Sequence, residues 1–537
     1  MSTAVSNDSA TPKSPLVGTG RYFRFTLKHN LMRYLVWILV IVGMIAFVGA
    51  YYKDLFKTQA DLDQFAALGS NPGMVALIGK VGSATLGGAV WTKLWMTLAM
   101  TLAIGMVFQV TKGARADEEN GRTELFRSRP FGIHSTLTAV VGGALLLCVF
   151  IGALTVFASY GIGLDPAGAG MTGSVVFGLS LVACGFLGVG VGALTNQLSA
   201  SATMANSTGS VVIVAFYVIR MLGDMGDNAA VWFSPIGWSE RMAPWQDNYG
   251  WLFIPTVALT AVLITAAFLI EARRDYGSGV FKDKRGRADA KPLMRRSWGL
   301  VLHFYKGSII GWACGMALTG LLFGSVAKTM LDMLGSIKVP FLQGNSMNAL
   351  MGLLLCIMGM VAMVLPLQIM TGLRSDEAKG LTESQLAGGM SRYRLVGERM
   401  LVSLCLLVML LLIGGASTGV SYGAVANDLS QSWKLAIDAL VYLPGIAAVM
   451  GIVVLLFGFV PRATLPVTWF LYGAMYFDVL IGDALKLPDW VTHMMPFTGT
   501  PRIPYESFNA SVFGFAAAAV VFTALGLLGL RKRDIPK

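Results

Sequence analysis

Apolar runs of about 20 residues recur about twelve times along this chain, each long enough to cross a hydrocarbon core of roughly 30 Å as a helix. No water at that depth pairs with backbone N–H and C=O groups, so each run must satisfy its own hydrogen bonds. Continuous runs do this as helices, whereas a membrane barrel would show short alternating strands. Only 13% of the 537 residues are charged and the mean hydropathy is +0.65, against about a quarter charged in ordinary soluble domains. The expected fold is an all-α polytopic membrane protein of about twelve transmembrane helices. The runs fall near 34–51, 88–110, 135–160, 172–195, 205–222 and 251–270, then near 307–327, 347–372, 400–422, 435–459, 464–481 and 510–530.

Between the second and third runs lies Arg115 to Ile133, the most charged stretch between two apolar segments, and part of it occurs twice. Arg115, Asp117, Glu118, Gly121, Thr123 and Glu124 return as Arg374, Asp376, Glu377, Gly380, Thr382 and Glu383, each number larger by 259. Arg274-Asp275 and Arg533-Asp534 share that register. The loop with Pro235, Arg241 and Pro244 is echoed by Pro496, Arg502 and Pro504 at offsets of 260 or 261. Matches so far apart in one register mark a duplicated unit. Each half holds an even number of runs, so the two six-helix repeats are parallel, related by an axis along the membrane normal. The organisation reads as a disordered tail (1–20), a first half (21–271), a basic linker (272–297) and a second half (298–537).

The net charge of +12 does not point to nucleic acid, because the cations flank the apolar runs. With the N-terminus inside, most Lys and Arg fall on inside segments, which places both termini in the cytoplasm. Arg21 to Arg33 and Trp298 to Lys306 interleave aromatic and basic residues as interfacial helices do, with the first run entered at about Tyr34. Cys148, Cys184, Cys314, Cys356 and Cys405 all lie in apolar runs without a CxxC pair and read as core residues. The four histidines are too scattered for a metal site. No GxxxxGK[ST] phosphate loop is present, so the chain itself is not expected to bind ATP by that route, nor any other cofactor.

Glu118, Gly121 and Glu124 fall three residues apart, along one side if the stretch is helical, with Leu125 and Phe126 following. Carboxylates in a first turn complement a helix N-terminus. A short amphipathic helix here would offer acidic groups to a soluble partner; the alternative is a solvated turn, and the duplication favours interaction.

In these residues the chain resembles the type-two permeases of ABC exporters, in particular the fused double-length permeases of polyketide-antibiotic exporters. DEENGRTELFRSRP is similar to their coupling helix, and Arg273-Arg274-Asp275 is similar to the signature that closes each of their halves. The resemblance implies a multi-pass permease of a bacterial cell membrane that exports hydrophobic or amphiphilic small compounds such as antibiotics. It also implies that Asp117, Glu118, Gly121 and Glu124, with Asp376, Glu377, Gly380 and Glu383, meet two copies of a separate ABC ATP-binding subunit that carries ATP and Mg. The second copy departs from the pattern, with Leu381, Ser384, Gln385 and Gly389 in place of Arg122, Leu125, Phe126 and Pro130.

Phe216, Tyr217, Trp469, Phe470 and Tyr472 sit in the corresponding fifth and eleventh runs. They are candidates for lining a substrate path, as resembling permeases suggest, or for packing and interface anchoring. Among ionisable residues in or near runs, Arg220 and Asp224 are spaced to pair, and Asp478 lies most nearly inside apolar surroundings. A proton-coupled multidrug antiporter and an exporter of lipid or cell-envelope precursors remain as alternatives.

Overall fold

The computed structural model describes residues 14–67, 79, 82–127, 131–225, 228–275, 277–281, 294, 296–334, 347–485 and 488–533, and all regular structure among them is helical. The chain divides into two compact units, Met1–Arg285 and Gly286–Lys537. The first holds α1 (Thr19–Leu55), α2 (Leu86–Thr111), α3 (Ser135–Ile162), α4 (Thr172–Leu198), α5 (Ala202–Met225) and α6 (Phe253–Glu271). The second holds α7 (Lys306–Leu334), α8 (Met347–Ala378), α9 (Arg392–Ala426), α10 (Leu443–Phe459), α11 (Pro461–Leu485) and α12 (Ser511–Lys532). Among the described residues, eleven helical segments are long and apolar enough to cross a membrane. The remaining long helix, α11, has the length at 25 residues but carries Arg462 and Asp478.

Three local expectations are corrected. The stretch 21–33 is not a separate interfacial helix: α1 runs unbroken for 37 residues, about 55 Å at 1.5 Å per residue, because no Gly or Pro interrupts Arg21 to Val42. The second half does break, into Ser297–Phe304 and α7, with Gly307 just past the junction. The tail expected to be disordered to residue 20 is ordered from Ser14, because Gly132 N–H donates to Val17 O (2.9 Å) and His134 N–H to Pro15 O (3.0 Å). Cys314 and Cys405 are exposed rather than core, whereas Cys148, Cys184 and Cys356 are buried. The turn at Ser70 to Gly73, most of the basic linker and Asp534 lie outside the described residues.

Each unit is built around its second and fourth helices, α2 and α4 or α8 and α10, whose apolar windows are the most buried. Small residues let these backbones approach. A Cβ on Gly188 of α4 would lie 2.2 Å from Ala103 O of α2, and one on Gly458 of α10 would lie 2.2 Å from Gly526 O of α12. At the end of the first unit far from the charged loop, the Pro235–Glu240 helix is followed by a tight loop with positive φ at Ala243, Trp245 and Asn248. Trp245 is driven between the starts of α2 and α4, its ring filling the space that side chains on Gly87 and Gly173 would occupy. Its Nε1 donates to Asp165 Oδ1 (3.0 Å), and its carbonyl accepts from Ser83 Oγ (2.6 Å).

Candidate functional site

The first charged loop leaves α2 through one π turn, Lys112–Ala116, and a single helical turn, Asp117–Glu119. Gly121 then reverses the chain at φ 68°, its N–H donating to Glu118 O (3.1 Å), before the short helix Arg122–Arg127. The continuous helix that would put Glu118, Gly121 and Glu124 on one side is therefore absent, because residue 121 takes the left-handed conformation that glycine adopts without penalty. Arg115 is 1% exposed. Its guanidinium donates to Ala200 O (2.6 and 3.1 Å), Gly277 O (3.2 Å) and Ser278 O (3.1 Å), and pairs with Glu118 Oε2 (3.2 Å). Glu118 points inward as well, its side chain 7% exposed. It accepts two bonds from Arg274, at 3.0 and 2.8 Å, and one from Gly277 N–H at 2.7 Å. The loop is thus clamped to the chain just beyond α6. That chain is in turn fastened to the end of α4, where Phe281 N–H donates to Leu198 O (2.9 Å).

The second copy repeats the clamp. Arg374 Nη1 meets Glu377 Oε2 at 3.3 Å, and Glu377 Oε1 pairs with Arg533 at the end of α12. Arg533 is held by donating to Phe457 O (2.5 Å), while Arg392 donates to its carbonyl (2.6 Å). Gly380 turns the chain at φ 71°, donating to Glu377 O (3.0 Å), and the helix Leu381–Ala387 follows.

These geometries account for most of the duplication. Of the six repeated residues, Arg115 and Arg374 bind Glu118 and Glu377, the two glycines supply the turn, and Thr123 and Thr382 are buried. Asp117 pairs with Arg122 (3.2 Å) and Asp376 with Arg399 (2.5 Å). Glu124 and Glu383 are the charged members of the set that are exposed, and they carry no ion pair among the described residues. They present a carboxylate outward at the same place in each half, beside exposed Glu119, Asn120 and Arg122 in the first and Lys379, Leu381 and Ser384 in the second. The side chains of Leu125 and Phe126 lie outside the described residues.

At the opposite end of the first unit, Arg220 bridges Asp224 (2.7 Å) and Glu240 (2.6 Å), and Arg241 closes on Asp224 (3.1 Å). The spacing-based pair Arg220–Asp224 thus forms, but as part of a group of four, buried except for the partly exposed Arg241, that ties α5 to the Pro235–Glu240 helix. In the second unit Thr498 Oγ1 donates to buried Asp478 (2.6 Å). The aromatic candidates form one group per unit. Tyr217 carries the Arg220 guanidinium over its ring at 5.6 Å, and Phe216 O accepts from Ser234 Oγ (2.7 Å). Trp469 and Tyr472 stand edge to face at 5.8 Å, and Phe470 is 74% exposed.

Residues 294–531 match a family model described as "Multidrug efflux system permease Rv1217c, C-terminal domain". The chain is also 29% identical over 536 residues to the multidrug efflux system permease protein Rv1217c of Mycobacterium tuberculosis, a match covering 97% of this chain and 96% of that one. The chain is thus similar to that efflux permease along nearly its whole length. The similarity runs through both units and accords with the exporter-permease resemblance drawn from the charged loops.

The arginine that closes each half stands out in the sequence, but its pairing with the loop carboxylate, Arg274 with Glu118 and Arg533 with Glu377, does not. Arg274 and Arg533 share the register of the two loops, and that common offset was the available signal that loop and terminal arginine act together. Glu119 and Arg399 gave no such signal, because their counterparts are Ala378 and Val140.

Proposed function

We propose that this chain is the transmembrane permease of an ATP-driven ABC exporter for hydrophobic or amphiphilic compounds. In this reading the charged loops face the cytoplasm and receive a separate ATP-binding subunit, in two copies, and the ATP and Mg belong to that subunit. The observation that carries the reading is the duplicated clamp. It holds each loop rigidly against the last helix of its half, through Glu118–Arg274 and Glu377–Arg533, and leaves Glu124 and Glu383 outward. A rigid, acidic, twice-repeated projection suits force transmission from a two-site partner, whereas a solvated turn needs no buried guanidinium. The similarity to the multidrug efflux system permease of Mycobacterium tuberculosis supports a drug-like cargo. The aromatic groups at Phe216, Tyr217, Trp469, Phe470 and Tyr472 are our candidates for contacting it.

The test is purification of the tagged chain in mild detergent from its own cells, with mass spectrometry of what accompanies it. The expected result is a P-loop ATPase that is lost from the Glu124→Lys plus Glu383→Lys variant while the permease still purifies folded. Folded chain that brings no ATPase overturns the proposal. The proton-coupled reading would then rest on Asp478, since Asp224 and Glu240 are already paired with arginines.

A further inference from the structure

The two loops share their clamp but differ in further attachments among the described residues, and the differences are matched on both sides of each contact. In the first half, Glu119 Oε1 accepts the N–H of Ala202, the first residue of α5, at 2.8 Å, and Arg115 holds Ala200 O just before it. In the register of 259, Glu119 corresponds to Ala378 and Ala202 to Pro461. Pro461 is likewise the first residue of its helix, α11, but proline has no N–H to give. Both members of the link are gone together.

The second half has its own link in exchange. Asp376 Oδ2 accepts from Arg399 Nη2 at 2.5 Å, and Arg399, 5% exposed, belongs to α9. Its counterpart in α3 is Val140, while Arg122, which takes up Asp117 within the first loop, corresponds to Leu381. The surrounding packing follows the same exchange. A Cβ on Gly113 would meet Val140, and a Cβ on the corresponding Gly372 would meet Tyr305 and Arg399.

We infer that the two loops are wired to different helices, the first driving α5 through Glu119 and Arg115, the second driving α9 through Asp376 and Arg399, so that the halves answer one docking event with unlike motions. This rests on the docking role proposed above. Glu119, Asp376 and Arg399 are positioning residues here, since they act through the helices they hold. The physical requirement is a stiff connection: a carboxylate bonded to the first free N–H of a helix, or a buried ion pair, transmits displacement, whereas Ala378 against Pro461 offers no polar bond at all.

The experiment uses the full chain with its co-purifying ATPase. An environment-sensitive fluorophore is placed either on the exposed Cys405 of α9, with Cys314→Ser, or on a cysteine at exposed Val211 of α5, with Cys314→Ser and Cys405→Ser. ATP with Mg is the probe. The expected result is that Glu119→Gln removes most of the ATP-dependent signal from α5 and leaves that from α9, whereas Asp376→Asn does the reverse, with Arg399→Lys close to the parent. Loss of both signals in each variant, or of neither, overturns the inference while leaving docking intact. No ATP response from the parent at either label overturns the docking reading and the inference with it. ATPase co-purification with every variant establishes that assembly is unchanged.

Discussion

Glu118 and Arg274, 156 residues apart in sequence, meet through two hydrogen bonds of 2.8 and 3.0 Å and so join the loop after α2 to the end of α6. Their counterparts Glu377 and Arg533 make the same junction between α8 and α12. The most charged stretch of an apolar chain therefore spends its central carboxylate on internal structure and keeps a flanking one, Glu124 or Glu383, at the surface.

Removing one partner of such a buried pair leaves the other without compensation. Glu118→Gln is expected to destabilise the first unit by about 3–5 kcal/mol, read as a lower midpoint of thermal unfolding in detergent. Glu124→Gln changes a solvated group and should leave the midpoint where it was. Equal shifts for both variants would contradict the inward placement of Glu118.

Gly121 and Gly380 have room for a side chain, so only their backbone conformation demands glycine. Gly121→Ala and Gly380→Ala should each cost roughly 1–2 kcal/mol, the penalty for an L-residue in the left-handed region, and asparagine should cost less than alanine. Unfolding midpoints of the four single variants check this order.

Gly173→Ala presents the opposite case. A Cβ there would lie 2.1 Å from the Trp245 ring, and overpacking of this kind costs about 1–3 kcal/mol. Trp245 fluorescence should shift as the ring is displaced, and Gly161→Ala, which has open space around it, serves as the silent control.

Arg220→Met should be the most damaging single change at the far end of the first unit. It removes the guanidinium that bridges the buried Asp224 and Glu240 carboxylates, a loss of about 3–5 kcal/mol. Folding yield and protease resistance measure it, and near-parental behaviour would show that the four-residue group does not hold α5 to the Pro235–Glu240 helix.

Much of this was legible in the residues because membrane helices are specified locally. Backbone groups in lipid are satisfied within each segment, so apolar length alone announces a helix, and the register of 259 announces the duplication from sequence identity. The sequence by itself thus determined the all-helical class, the approximate spans, the repeated loops and the pairing of Arg220 with Asp224, whose spacing of four is a helical neighbour. Only the tertiary structure decided which acidic residues face inward, that Gly121 breaks the loop helix, and that Arg399 and Glu119 attach the two loops to different helices. Those choices depend on carbonyls and guanidinium groups brought together across separations of tens to more than a hundred residues. A charged side chain has no one-dimensional mark that distinguishes a buried partner from water.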